Sequence, residues 1–382
     1  MGQVSGIRFR PSFRWELSLG VALLLLVGAC QRADPTEEVQ QMPLERGYAA
    51  PWSRLGLASG HLPSAPSDQQ LLPGLFATED AGLTWRDVTP PQLDVMWESV
   101  LTLDFVTPSD GFVVTFNPAL GSELWVSTDG GKEWAYAFDV GGTFHHAGDA
   151  ATIDFVDATD GFLYMFSAAG TGCGSVAASH DGGQSWTFGV NECLPQPGEI
   201  RFDDASTGWL GGQAHGMNSQ PGDLFRTTDG GVTWDAIRLA VPQELDFALA
   251  RVDLPTFFGD QGLVAVTMLD GPVVVFSSSD HGASWIFETI IDTGALSKPN
   301  PRPSEVSFAN ADTWWIATSF DTETETLLST DRGKTWHLRP RGPGGILHDL
   351  VATNESTAWL TTDQGLFATY DGGRSWEHLI SG

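Results

Sequence analysis

Basic residues are scarce in this 382-residue chain. Nineteen Lys and Arg stand against 48 Asp and Glu, a formal net charge of −29. Such a body repels phosphate backbones and anionic head groups, which excludes nucleic acid as a partner. Long apolar runs are also missing. The longest, Leu17 to Val27, is too short and wrongly flanked for a membrane span. No stretch carries a helical period. There is no G-x-S-x-G elbow, no P-loop and no dinucleotide fingerprint, so the chemistries that need them are absent. Tyrosine occurs four times and cysteine three times.

What is present begins with an export signal. Arg8, Arg10 and Arg14 precede the apolar run, and Val27-Gly28-Ala29-Cys30 follows it. That tetrapeptide resembles a bacterial lipobox, which implies cleavage after residue 29 and lipid on Cys30. Removing residues 1–29 takes away three Arg and Glu16, so the net charge moves from −29 to −31. Residues 30–50 are polar and aperiodic, and read as a lipidated Cys with a flexible tether. Residues 51–382 form the body. The expected address is the bacterial cell envelope, periplasmic or outer-surface side, with the membrane touched through the lipid alone.

The body is organised by one octet, S/T-x-D-x-G-x-S/T-W, seen in Ser329 to Trp336. Its Asp and Trp positions are Asp80 and Trp85, Asp129 and Trp134, Asp181 and Trp186, Asp229 and Trp234, Asp280 and Trp285, Asp331 and Trp336, and Asp371 and Trp376. The steps between the acids are 49, 52, 48, 51, 51 and 40 residues, a period that signals a repeat architecture. An Asp two residues before a Gly suits a tight hairpin. The carboxylate accepts backbone N–H groups, and the Gly supplies positive φ. The Trp on the outgoing strand has a large face to bury against a neighbouring unit.

A second motif precedes most octets. Leu103-Asp104-Phe105 leads to Gly111-Phe112, Ile153-Asp154-Phe155 to Gly161-Phe162, and Ile200-Arg201-Phe202 to Gly208-Trp209. Alternation around a short polar turn predicts another hairpin. Each repeat thus holds four short strands, a to d, with the octet as the c–d turn. Four antiparallel strands repeated seven times predict an all-β fold, a seven-bladed β-propeller. The a and b strands of the first blade are hard to see, so six blades with an N-terminal extension is the alternative. Cys173 and Cys193 flank the third octet symmetrically about Gly183. In an exported protein they are expected to form a disulfide, contributing about 3 kcal/mol for a loop of ~20 residues.

The octet resembles the Asp box, or BNR repeat, of the sialidase-like propeller superfamily. Among those families the chain looks most like the photosystem II stability/assembly factors and their bacterial relatives. Glu133 departs from the pattern, replacing the hydroxyl residue of the second copy. A sialidase would need an arginine triad and a Tyr–Glu pair. Of the four tyrosines only Tyr136 and Tyr164 lie outside the tether and the octets, without a clear partner Glu. Arg201, Arg251 and Arg302 lie near the starts of a strands, a position from which an arginine can face the mouth. The assembly-factor resemblance implies an arginine-rich contact patch, which these few scattered arginines do not suggest.

Strand parity puts the octets and a–b turns at one end of the propeller, and the long b–c and d–a connections at the other. Variable loops on a rigid scaffold are the usual binding surface. The candidate face therefore carries His145, His146, Asp149, His215, Arg339, Arg341, His348 and Asp349, with Asp321, Glu323 and Glu325 nearby. Their spacing matches no metal motif, so no metal, cofactor or catalytic residue is expected. The sequence points to a non-catalytic, monomeric platform for a protein or glycan. A carbohydrate-active hydrolase is the alternative.

Overall fold

The computed structural model describes residues 56–59, 75–78, 86–90, 99–117, 121–140, 150–166, 174–189, 194, 198–213, 223–242, 245, 250–268, 272–291, 304–320, 323–362 and 364–381. Apart from Val140, assigned to a helical residue, their regular elements are strands and bridges. The strands follow the repeat. A three-stranded sheet holds β1 (Gly56–Ser59), β2 (Leu75–Thr78) and β3 (Arg86–Asp87). The next holds β4 (Ser99–Phe105), β5 (Gly111–Asn117), β6 (Gly121–Ser127) and β7 (Ala135–Asp139). Then come β8 (Ala150–Phe155), β9 (Gly161–Phe166), β10 (Ser175–Ser179) and β11 (Thr187–Phe188).

Two further units are joined into one nine-stranded sheet. The first is β12 (Gly198–Phe202), β13 (Gly208–Gln213), β14 (Asp223–Thr227) and β15 (Asp235–Arg238). The second is β16 (Ala250–Val252), β17 (Thr256–Phe258), β18 (Gln261–Met268), β19 (Val273–Ser278) and β20 (Ile286–Ile291). The seam pairs Gly212 with Val252 and Gln213 with Arg251. In this unit the a strand is split into β16 and β17, and Phe257 of the second half takes the usual aromatic place, over Gly262. Two four-stranded sheets complete the order: β21 (Glu305–Phe308), β22 (Trp314–Phe320), β23 (Glu323–Ser329) and β24 (His337–Leu338), then β25 (Leu347–Ala352), β26 (Ala358–Thr362), β27 (Gly365–Thr369) and β28 (Glu377–Ser381).

Six octets lie within the described residues; the first, with Asp80 and Trp85, lies outside them. In the six, the opening hydroxyl (Ser127, Ser179, Thr227, Ser278, Ser329 or Thr369) accepts the N–H of the octet Gly at 2.8–2.9 Å. It donates in turn to Oδ1 of the octet Asp at 2.8–3.0 Å. That Gly has φ between +72° and +83° in all six, the left-handed region in which only Gly avoids a Cβ clash.

Each described octet Trp packs in the seam with the preceding sheet. Trp134 joins Leu75 and Val88, Trp186 joins Phe112 and Leu124, and Trp234 joins Phe162 and Val176. Trp285, Trp336 and Trp376 occupy the next three seams. The Phe of the second motif lies flat over the following Gly. A Cβ on Gly111, Gly161 or Gly208 would overlap the ring of Phe105, Phe155 or Phe202. The ring next to that Gly then stacks on the Phe of the following sheet. Phe112 meets Phe155 at 3.4 Å between centroids and Phe162 meets Phe202 at 3.3 Å, both nearly parallel. Such pairs add about 0.5–1.5 kcal/mol beyond burial.

Candidate functional site

The two ends of the sheets differ in what their polar groups are doing. At the octet end, the residue after each octet Asp donates its N–H to a carbonyl of the same sheet's a–b turn. The pairs are Gly130 to Ser109, Gly182 to Thr159, Gly230 to Ser206, His281 to Asp260, Arg332 to Asp312 and Gly372 to Ser356, at 2.8–2.9 Å. The a–b and c–d turns therefore share one end, as strand parity requires.

The octet carboxylates are committed to their own turns. Thr335 donates its hydroxyl to Asp331 Oδ2 at 2.6 Å and its N–H to Oδ1 at 2.8 Å, and these bonds hold the Asp331 carboxyl down to about 2. Asp280, through Ser284, and Asp371, through Ser375, are likewise held to about 2. Glu133 brings only its backbone N–H to Asp129. The hydroxyl bond that the other copies have to Oδ2 is replaced there by nothing in kind.

The first strands of successive sheets lie against one another, β4 with β8, β8 with β12 and β21 with β25. The middle residue of the apolar-x-apolar motif reaches across this inner ring. Asp104, buried, accepts the N–H of Phe155 at 2.8 Å, and Asp154, also buried, accepts that of Phe202 at 2.6 Å. Ser307 does the same for Ala352 at 2.9 Å, and Arg201 donates to the Pro255 carbonyl at 3.1 Å. The sequence reading missed these cross-sheet roles. The signal was a polar residue between two core positions of a strand.

Arg251 does not offer a free guanidinium to the mouth. It is buried and donates to Asp253 at 2.7 Å and to both oxygens of the buried Glu305 at 3.0 and 3.2 Å. Breaking such a triad on one side strands a buried charge.

The candidate face divides. His145, His146, Asp149 and His215 lie outside the described residues, as do Cys30, Cys173, Cys193, Asp321 and Arg302. Arg341 is exposed beside the β22–β23 hairpin, bonded to Glu323 at 2.9 Å and 3.4 Å from the buried Glu325. The Glu323 bond raises its affinity for its proton. The segment after β24 folds back over that hairpin: Thr324 N–H donates to the Pro343 carbonyl and Gly342 N–H to that of Thr324, both at 2.8 Å. His348 and Asp349 are half-buried at the start of β25, where the register shifts.

Arg339 departs from the expected face. It follows Trp336 by three residues, and its stem runs across the seam under Gly373, with its Nη2 beside Gly372. Its guanidinium therefore sits at the next octet. Glu288 holds the equivalent place one sheet earlier and is answered by Arg332, at 2.6 Å. Arg339 faces Gly372, which has no side chain to answer with. Burial, with Arg374 nearby, weakens its hold on the proton. Two arginines that the sequence scatters thus come together.

Among the described residues no group of three or more His, Cys, Asp or Glu is arranged to hold a metal. A shallow groove of about 280 Å³ lies between the β8–β11 and β12–β15 strands at the octet end, lined by His180, Phe188, Ser206, Asp229 and Val232.

A model of the BNR/Asp-box repeat matches residues 327–338. By sequence, the chain is similar to the photosystem II assembly lipoprotein Ycf48 of Synechococcus sp. (strain CC9902), at 24% identity over 206 residues. That match covers 54% of this chain, which spans about half, 55%, of that relative's length. By structure, it is similar to YCF48 bound to D1 peptide, with TM-score 0.56 and 14% identity over 84% of this chain and 89% of that one. It is also similar to the Niastella koreensis GH74 enzyme, with TM-score 0.60 and 16% identity over 86% of this chain and 52% of that one. The turn chemistry, the tryptophan seams and these likenesses agree: the chain carries a BNR/Asp-box repeat at residues 327–338 and has the β-propeller fold of these structures.

Proposed function

We propose that this protein is an exported lipoprotein, anchored through Cys30, whose propeller is a non-catalytic assembly platform for a protein partner. Seven units, one per octet, make the ring. The partner docks on the end away from the octets, where Arg341, His348 and Asp349 stand and to which the sequence pattern assigns His145, His146, Asp149 and His215. The observation that carries this reading is the exposed ion pair at the rim of that end. Octet carboxylates are tied into their own turns, whereas Arg341 and Glu323 hold an exposed charge pair on a hairpin rim. The likeness to a Ycf48 bound to a D1 peptide supports a peptide or protein partner rather than a small molecule.

The test is cross-linking and pull-down from native membranes with the mature protein. Charge reversal of the rim pair, Arg341→Glu or Glu323→Arg, is expected to lose the partner. An octet-end change such as Lys132→Glu retains it. Retention by the rim variants, or loss by the octet-end variant, overturns the assignment of the face.

A glycan-cleaving reading has one observation in its favour, the likeness to the GH74 enzyme. It predicts release of oligosaccharides from xyloglucan, and an inert protein under those conditions removes it.

A further inference from the structure

The seam between the β21–β24 and β25–β28 sheets collects polar atoms that have nothing to bond. Thr324 and Thr326 are two apart on β23, so their side chains share a face. Leu328, on the same face, packs in the cluster that includes Trp376. Both threonines are 0% exposed, and neither Oγ1 has a hydrogen-bond partner. Trp376 Nε1 and Arg339 Nε, also buried, have none either.

These atoms are neighbours. A Cβ built on Gly342 would lie 2.6 Å from Thr324 Oγ1 and 3.2 Å from Trp376 Nε1. One built on Gly373 would lie 3.1 Å from Arg339 Cγ and 3.5 Å from Thr326 Oγ1. The two hydroxyls are about 7 Å apart along the strand.

Electrostatics selects its sign. The indole and the guanidinium can only donate, and a hydroxyl can turn its proton toward the same guest. Among the described residues Arg339 makes no ion pair; the charges that act on it are those of Arg374 and Asp371. The Asp371 carboxylate is already taken by Thr369, Arg374 and Ser375. An uncompensated, part-buried cation is costly, and an anion offsets that cost.

We propose that this seam is an anion site, taking a small monovalent anion, a halide or a carboxylate group, on Arg339, Thr326, Thr324 and the Trp376 indole. It borders the proposed partner face at the hairpin of Thr324 and Gly342, but its occupancy is read as stability and not as partner binding. An anion there ties the last two sheets together, so its binding is read as stability.

The test is thermal unfolding of the mature protein at constant ionic strength, exchanging sodium methanesulfonate for sodium chloride or sodium acetate. The expected result is a saturable rise in Tm with chloride or acetate. Arg339→Met, which keeps the stem under Gly373, abolishes it, and Thr326→Val weakens it. Chloride acting alone identifies the halide; acetate acting alone identifies a carboxylate. Crystals grown in bromide are expected to show an anomalous peak beside Arg339 Nε. Equal Tm in all three salts or an unchanged response in both variants overturns the proposal, as does water in place of bromide where chloride raises Tm. Thr326→Val and the bromide crystals keep the test decisive if Arg339→Met does not fold.

Discussion

Gly161→Ala inserts one methyl group where the Phe155 ring lies. A Cβ at this position overlaps the ring, and the ring has no room to retreat. On its far side it stacks on Phe112 at 3.4 Å, and the Trp186 indole meets it edge-on at 6.0 Å. The φ of residue 161 is not positive, so backbone strain adds nothing. Overpacking a core costs about 1–3 kcal/mol, and displacing the stack adds about 0.5–1.5 kcal/mol. Together the expected loss is about 2–4 kcal/mol, read from urea unfolding followed by tryptophan fluorescence. Phe155→Leu in the same chain removes the flat ring, and Gly161→Ala is then expected to cost less than about 1 kcal/mol. The cycle thus couples the two positions by 1 kcal/mol or more, on the order seen for residues in contact. A Gly161→Ala loss under about 0.5 kcal/mol, or a loss unchanged by Phe155→Leu, would refute the reasoning.

Acid sensitivity follows from the octets. Asp280, Asp331 and Asp371 fall from 3.8 to about 2 on folding. Their contribution is therefore present above pH 3.8 and lost as pH falls toward 2; Asp331→Asn is expected to flatten the fall measured by circular dichroism between those values. Arg332 holds φ +64° where four octets have Gly, and its ion pair with Glu288 is part-exposed. Relieving the left-handed strain in this turn is worth about 1 kcal/mol against roughly 0.2–1 kcal/mol for the pair, so Arg332→Gly is expected to destabilise no more than Glu288→Gln in the same urea assay. Gly174 and Leu194 form an antiparallel bridge beside Cys173 and Cys193; a Cys173–Cys193 disulfide is expected as a mass lower by two hydrogens without reductant, and two free thiols would disprove it. Cys30→Ser is expected to move the protein from the membrane fraction to the soluble fraction on cell fractionation.

The local devices were legible in the sequence because their causes are local. An Asp, a Gly and a hydroxyl within five residues specify the turn, and Phe105 six residues before Gly111 specifies a ring over a bare backbone. Strand parity then gave the ends of the sheets without coordinates. What stayed hidden depends on a neighbour about 50 residues away. Alternation marked Asp104 and Asp154 only as lying between core residues; their acceptor role needs the next sheet alongside. Arg251 looked available until Glu305, 54 residues on, closed over it. Arg339 looked like a loop residue of the far face because sequence gives the start of a side chain and not its reach. Its stem crosses a seam that exists only once two sheets have docked.

The inner ring also bears on how the molecule can come apart. Phe155, Phe202 and Ala352 each hand an amide proton to a side chain belonging to the preceding repeat. A single excised repeat would have that amide facing solvent and, on the acceptor's side, a carboxylate or hydroxyl without its intended guest. Isolated repeats are therefore poor candidates for independent folding, and deletion of an internal one leaves mismatched partners on either side of the cut. The chain should melt as one block, its order propagating around the circle instead of residing in any one sheet.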